Sequence, residues 1–578
     1  MQLTDAKRVS MVVLVAVLGA ACSGPASPPP HEPVPGPTPA VQRVPLGQLP
    51  QIDTDAVLAH TKVLASDDYE GRAPGSKGEN LTINYLIEQF KQAGAKPGNE
   101  GGSYVQRVPL VGITTPGAPL VFKKGGQRLT LNWRDDVVAG TSRVADAVSI
   151  DDSETVFVGY GIVAPEFGWD DYKGLDVKGK TLVMLVSDPP MPDPQNPAEL
   201  DPKLFGGKAM TYYGRWSYKY EIASAKGADA VLLVHETGPA GYGFDVVQGS
   251  WTGEQFELVP PDKNKDRVAI QGWITLEQAK KAFELGGHDF EALKKTAAAR
   301  EFTPVPLGVT ASMALQNKLR TVSSRNVLAK IEGADPQLKG QVIVYTAHWD
   351  HLGVGEPVGD DRIYNGAVDN AVGTAGLLEI ARAFARLPAP PRRSILFIAV
   401  TAEEQGLLGS EYYAAAPAYP LAKTVAVINI DTINVHGRTR DVTVIGLGAS
   451  ELDEYVRDAA GEQGRIVKPD SEPEKGYYFR SDHFSFAKRG VPALNMDEGT
   501  DFIGKPPEYS QRVRTTYTDR HYHQPSDEVQ SDWDMSGARE DLQVLFAVGY
   551  RVAEADAIPR WKPGNEFKAR REAMLQTQ

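Results

Sequence analysis

The sequence predicts an α/β fold: a mostly parallel, mixed sheet sandwiched by helices, with a β-rich unit inserted into it. Two observations carry that prediction. From Asn326 onward, near-continuous apolar runs (Val342 to Ala347, Ile395 to Val400, Val425 to Ile430, Val442 to Leu447, Val491 to Leu494) alternate with helical patterns such as the stripe Leu377, Ile380, Ala381 and Phe384. Strands that lack polar alternation are covered on both faces, which is the pattern of a largely parallel sheet between helix layers. Between about 135 and 300 the texture is different. Short β-rich runs (Thr155 to Val158, Thr181 to Val186, Ala230 to Val234) are separated by Gly, Pro and Asp, and little clustered His/Asp/Glu chemistry accompanies them.

In chain order, Lys7 and Arg8 precede the apolar run Met11–Ala21. That run is too short to span a bilayer but suits the hydrophobic region of a signal peptide. Cys22 follows Leu18-Gly19-Ala20-Ala21, which resembles a bacterial lipobox, so residues 1–22 are read as a signal with lipidation at Cys22. Residues 23–50 are proline-rich and read as a semi-extended tether without packed structure. The expectation is an exported protein, in the bacterial cell envelope or secreted, meeting a membrane only through the lipid. Over residues 81 to 94, Ile83, Leu86, Ile87 and Phe90 share one helical face and Gly94 ends it. The domain reading is then 51–134 as the first part of a catalytic domain, 135–300 as the insert, 301–560 as the rest of the catalytic domain and 561–578 as a tail.

Composition narrows the chemistry. The chain has 578 residues, 42% hydrophobic and 23% charged, long enough to bury a core without staples. Asp plus Glu number 74 against 61 Lys plus Arg, a net charge of -13 that argues against nucleic acid as a partner. With Cys22 the sole cysteine, any metal site is built from histidines and carboxylates.

In parallel α/β sheets, functional residues gather beyond the carboxyl ends of the strands. The run Val342 to Ala347 ends in His348-Trp349-Asp350-His351, Ile395 to Val400 in Thr401-Ala402-Glu403-Glu404, and Val425 to Ile430 in Asp431. Asp369 lies between the first two, just ahead of the striped helix, and His523 lies downstream in Tyr522–Asp527. Each element alone has an ordinary structural explanation as a turn former, cap or solvated face. Charged groups directly after three successive buried strands, however, need compensation that a metal supplies. His348, Asp369, Glu404, Asp431 and His523 offer two imidazoles and three carboxylates. With one carboxylate bridging, each of two metals gains three protein ligands and keeps an open position. Nitrogen and oxygen donors without thiolate suit zinc.

These stretches resemble the co-catalytic di-zinc aminopeptidase family that also contains glutamate carboxypeptidase and the transferrin receptor. The resemblance is carried by His348-Trp349-Asp350, Gly366 to Asn370, Glu403 to Ser410, Asn429-Ile430-Asp431, Ser481-Asp482-His483 and Tyr522-His523, and it covers about 51 to 130 and 305 to 555. The insert resembles a protease-associated domain, best at Gly159-Tyr160-Gly161-Ile162. The resemblance implies two zinc ions bridged by Asp369, with Glu404 and His523 completing one site and His348 and Asp431 the other. Glu403 is implied as the general base toward a metal-bridging water, Tyr522 as a hydrogen-bond donor to the developing oxyanion, and Asp350 as the group holding the second ring nitrogen of His348. It also implies a cis peptide bond between Asp369 and Asn370. His483 is assigned to a structural motif, and His351, His436 and His521 match no ligand position.

The function expected is a zinc-dependent aminopeptidase acting on peptides. The near rival is a glutamate-carboxypeptidase-like enzyme, which needs an arginine cluster over the site; Arg480, Arg512 and Arg514 are the candidates. A non-catalytic binding protein on the same fold would be expected to have lost ligands or the base, and this sequence keeps them. Glutaminyl cyclase, on a related fold with one zinc, is disfavoured by the insert. Oligomeric state and residue preference are not written in the sequence.

Overall fold

The computed structural model describes residues 44–259 and 261–576. The expected signal segment, Cys22 and the tether up to residue 43 lie outside the described residues. Residues 44–50, assigned to the tether from composition, instead pack on the fold. Leu46 and Leu49 are buried, and the Leu46 amide donates to Glu462 Oε2 at 2.6 Å. Two leucines bury enough apolar surface to dock a segment whose prolines alone suggest extension. No helix among the described residues is long and apolar enough to cross a membrane.

Among the described residues, the larger sheet runs in the order Glu254–Leu258, Val105–Thr114, Lys318–Ile331, Ser394–Val400, Val342–His348, Thr424–Asn429, Ala493–Asp497, Asp441–Ile445 and Ile466–Pro469. Ser394–Val400, Val342–His348, Thr424–Asn429 and Ala493–Asp497 are mutually parallel, and antiparallel strands flank them. The sheet is therefore mixed with a parallel centre, as the unbroken apolar runs predict. Every residue of the first three of these strands is buried. Their carboxyl ends consequently lie side by side at one edge.

Helix Val372–Ala385 covers the sheet centre and is buried almost all round. The helix expected over 81–94 spans Lys77–Gln92, starting earlier because Ser76 caps it by accepting from the Glu79 amide. Its Phe90 packs against Phe397 of the central sheet, ring centroids 6.1 Å apart. On the same face, Tyr345 stacks on Phe397 and donates its hydroxyl to the Leu545 carbonyl of helix Ser536–Glu554 at 2.8 Å.

A second sheet runs Gln127–Leu131, Leu120–Lys124, Val305–Gln316, Ala147–Phe157, Thr181–Leu185, Ala230–His235, Ile270–Thr275 and Val137–Gly140. It carries its own apolar cores. Its limits are wider than 135–300. Strands Leu120–Lys124, Gln127–Leu131 and Val305–Gln316 belong to it, while Glu254–Leu258 leaves it to pair with Val105–Thr114 in the larger sheet. Val305–Gln316 pairs with Leu120–Lys124 on one side, bringing the chain's exit from the unit beside its entry, and with Ala147–Phe157 on the other. Val305–Gln316 alternates buried with exposed positions, so it carries no continuous apolar run for composition to detect. The expected tail also packs: Trp561 and Phe567 are buried, and helix Lys568–Gln576 donates from Arg571 to the Leu421 and Thr424 carbonyls.

One substitution tests this packing by its sign. Glycine inside a helix ordinarily costs about 1 kcal/mol relative to alanine. At Gly549, however, a Cβ would stand 1.8 Å from the Tyr345 hydroxyl. Gly549→Ala is therefore expected to destabilise by about 1–3 kcal/mol through overpacking, measured by urea unfolding. An unchanged or raised midpoint would contradict the packing described.

Candidate metal centre

The parallel strands deliver their end residues to one pocket. His348 closes Val342–His348, Glu403 and Glu404 follow Ser394–Val400, and Asp431 follows Thr424–Asn429. His348 Nε2 lies 3.2 Å from Asp369 Oδ1 and 3.4 Å from Asp431 Oδ1. His523 Nε2 lies 3.0 Å from Glu404 Oε2 and 3.5 Å from Asp369 Oδ2. Asp369 thus turns one oxygen to each histidine, and all five predicted ligands come together.

These contacts have the character of shared coordination. Both Nε2 atoms are buried and make no hydrogen bond, close as the carboxylates are. Donors at ~2.0–2.2 Å from one tetrahedral cation stand about 3.3 Å apart, the spacing seen on both sides of Asp369. The residues present therefore fit a pair of cations. Burial opposes ionisation of Asp369, but His348 and His523 hold its carboxyl well below the ordinary range. Burial and Asp369 push Glu404 up, and His523 and His351 outweigh them to hold it at about 2. Glu403 moves the other way: burial raises it well above the usual range, Asp431 and Glu404 add to that, and His348 opposes.

Backbone geometry shapes the pocket. Ala402, Thr432 and His523 all adopt positive φ, next to or at predicted site residues, a conformation that side chains other than glycine adopt only where the surroundings impose it. The peptide bond between Asp369 and Asn370 is cis, as expected. Gly366 must be glycine, since a Cβ there would meet the Asp369 carbonyl at 2.2 Å and the His351 ring at 2.5 Å. Asn370 ties two ligand segments together: Oδ1 accepts from the Gly373 and Thr432 amides, each at 3.1 Å, and Nδ2 donates to the Ile430 carbonyl at 2.9 Å.

Asp350 departs from its expected contact. Its carboxylate stays 3.9 Å from His348 Nδ1, and its own main-chain carbonyl takes that place at 3.2 Å. The carboxylate accepts from the Glu403 amide at 3.2 Å instead, tying one strand-end loop to the next. His351, set aside in the sequence, sits with Nδ1 2.5 Å from Glu404 Oε1, on the oxygen not facing His523. His483 lies in the apolar layer, its ring edge-on to Tyr478 at 4.9 Å and its pKa lowered to about 3 by burial. It is remote in role from the ligand group.

A cavity of about 450 Å³ opens onto this edge and includes Asp369, Glu403, Glu404, Asp431, Tyr522 and His523. Tyr522 stacks on the His523 ring at 4.0 Å. Residues 326–547 match the model of Peptidase family M28. All five predicted ligands fall inside that match. Over 132 residues the chain is 36% identical to the mouse aminopeptidase NAALADL1, covering 22% of this chain and 16% of that protein. Over 246 residues it is 26% identical to leupeptin-inactivating enzyme 1 of Streptomyces exfoliatus, covering 42% of this chain and 51% of the relative. These matches span about half, or less, of the relatives' own length. The solved aminopeptidase from Aneurinibacillus sp. strain AM-1 shares the fold, with TM-score 0.50 and 20% identity over 87% of this chain and 94% of that one.

The matched segment does not complete the pocket alone. From the second-sheet unit come Arg215, Trp216, Tyr242 and Trp251 of the cavity wall, and Ser250 Oγ lies 3.4 Å from His523 Nδ1. From the N-terminal segment comes Arg72, buried directly behind the ligand loops. Neither arginine is visible as a site residue in the sequence, because neither belongs to a spacing motif.

The shared position of Asp369 gives a test. Asp369→Ala removes a donor from both histidine groups, so metal content by mass spectrometry is expected to fall to near zero. His523→Ala is expected to keep the cation on the His348 side. Equal metal content in Asp369→Ala and the unaltered protein would exclude a shared site.

Proposed function

We propose that this chain is a zinc-dependent exopeptidase, an aminopeptidase acting on peptides. The observation that carries the reading is the pair of histidines joined through the two oxygens of Asp369, with an uncommitted carboxylate, Glu403, beside them. When bound, zinc polarises the scissile carbonyl and acidifies water. His348, Asp369 and Asp431 would hold one ion, and His523, Asp369 and Glu404 the other. Glu403 accepts the proton of the attacking water and passes it to the leaving amine, and burial, which raises its carboxyl, makes it the stronger base. Tyr522 is raised well above the ordinary phenol range by burial, with Asp369 and Glu404 adding to it. It therefore stays protonated and can donate to the developing oxyanion. The cavity, walled on one side by the second-sheet unit, has room for a chain end, which supports exopeptidase action on peptides.

A second reading has its own observation. Arg215 is 8% exposed, faces the cavity, and leaves Nε without a hydrogen bond. Burial lowers its pKa to about 10, and repulsion from Arg480 adds to this. Arg480 lines the same cavity between the rings of Tyr242 and Tyr477. Of the other two arginines weighed, Arg514 is engaged with Asp497 and Glu472, and Arg512 is exposed over Tyr509. Two guanidinium groups that make no ion pair among the described residues favour a substrate carboxylate near the scissile bond, as a carboxypeptidase or dipeptidase would need.

For the rest of the chain, we read residues 120–316 as a protease-associated unit, supported by Gly159 and Gly161 at positive φ in the Gly-Tyr-Gly-Ile turn. The N-terminal signal pattern and Cys22 support export with a lipid anchor, and the acidic net charge supports peptides rather than nucleic acid as partners.

Glu403→Gln tests the reaction. It leaves all five zinc donors in place, so zinc content is expected to be unchanged while kcat falls ~10²–10⁴-fold. Near-native kcat at full zinc content would remove Glu403 from the chemistry. Turnover of aminoacyl amides against N-acyl dipeptides with free carboxylates, with and without chelator, decides between the two readings.

A further inference from the structure

Arg72 lies outside the M28 segment and has 1% of its surface exposed. It makes no ion pair among the described residues. Instead, Nε donates to the Trp349 carbonyl at 2.8 Å, Nη1 to the Leu64 and Asn365 carbonyls at 2.7 Å each, and Nη2 to the Gly366 carbonyl at 2.9 Å. Trp349 directly follows the predicted ligand His348. Asn365 and Gly366 open the turn that presents Asp369. One planar group therefore bridges the two loops whose ligands must meet, and it does so through main chain only. The same guanidinium lies within the field of Asp350, Asp527, Asp369 and Glu404, which partly offset the lowering by burial.

We propose that Arg72 is a positioning residue that sets the separation of the His348 and Asp369 loops and so presets the metal centre. The proposal rests on the ligand reading given above. Its physical basis is the fork of the guanidinium, which holds several carbonyls in one fixed plane where an ammonium is a single point with rotating donors. Asp527 supports the same loop, its carboxylate accepting from the Val368 and Asp369 amides at 3.0 and 3.1 Å. The Asp369 turn is thus gripped at its carbonyls by Arg72 and at its amides by Asp527.

A matched control exists in the same chain. Arg393 is equally buried at 1% and donates to the Gln341 side chain and to the Val552 and Ala553 carbonyls, well away from the ligand loops. The test compares full-length Arg72→Met, Arg72→Lys and Arg393→Met for zinc affinity by chelator competition, for the absorption spectrum of the cobalt-substituted protein, and for thermal midpoint of the metal-free form. Groups that orient metal ligands typically contribute ~10–100-fold to metal affinity, and a loss of that size with an altered cobalt spectrum is expected for Arg72→Met. Arg72→Lys keeps the charge and is expected to remain at least about fivefold weaker than the unaltered protein. Arg393→Met is expected to lower the midpoint while leaving zinc affinity within about twofold.

Zinc affinity of Arg72→Met within about twofold of the unaltered protein would overturn the assignment, as would an equal loss in Arg393→Met. If Arg72→Met does not fold, Arg72→Lys decides: full affinity and an unchanged cobalt spectrum overturn the proposal. An unaltered chain that binds no zinc would overturn the ligand reading itself, and this assignment with it.

Discussion

The structure depends on burying several carboxylates around one small pocket. Asp350, Asp369, Glu403, Glu404, Asp431, Asp482 and Asp527 crowd the carboxyl edge of the sheet. Like charges at this range cannot all remain ionised in a poorly solvated site. The protein divides them. Asp369 and Glu404, which face imidazoles, are held low. Burial pushes Asp350 up to about 8, Asp482 to about 7 and Asp527 to about 6. The groups held ionised are those whose oxygens converge with ring nitrogens.

Much of this was legible in the sequence because the fold rule is simple. Buried parallel strands read as unbroken apolar runs, and side chains placed after them reach a common edge. His348, Glu404 and Asp431 follow from that rule directly, and Asp369 and His523 from their motif context. What stayed hidden acts through main chain or across distant segments. Arg72 reaches carbonyls at 349, 365 and 366, and no side-chain pattern records a bond to a carbonyl. The contact of Asp350 was assigned to its carboxylate because spacing cannot distinguish a side-chain oxygen from the main-chain oxygen of the same residue. The limits of the second sheet were misjudged where strands are half-exposed. Residues 44–50 were misjudged because proline content outweighed two leucines.

The second-sheet unit gives the pocket its other wall. Trp216, Trp251 and Tyr220 form a contiguous aromatic cluster, with Trp216 and Trp251 at 6.0 Å and Tyr220 and Trp251 at 5.8 Å. Arg215 stands at the mouth of the helix that carries Trp216. Under the second reading proposed above, this apolar wall beside a guanidinium would receive a substrate with a hydrophobic body and an anionic end. The metal-ligand edge and this wall come from different parts of the chain, and Ser250, beside Trp251, meets His523 where the two join.

Arginine at position 72 resolves a conflict that an ordinary ion pair would create. A buried guanidinium in an acidic pocket would normally bind a carboxylate in a bidentate pair. Here that would occupy oxygens that the cations need. Four of the five guanidinium N–H donors are instead satisfied by carbonyl oxygens. The charge still acts through space on Asp350, Asp527, Asp369 and Glu404. Neutral dipoles thus meet the hydrogen-bonding demand of the arginine, and its field eases the mutual repulsion of the carboxylates. The ligand oxygens remain free to face His348 and His523. A lysine could supply the field but not the planar set of donors, and a neutral amide could supply some donors but not the field. Only the guanidinium meets both requirements at this position.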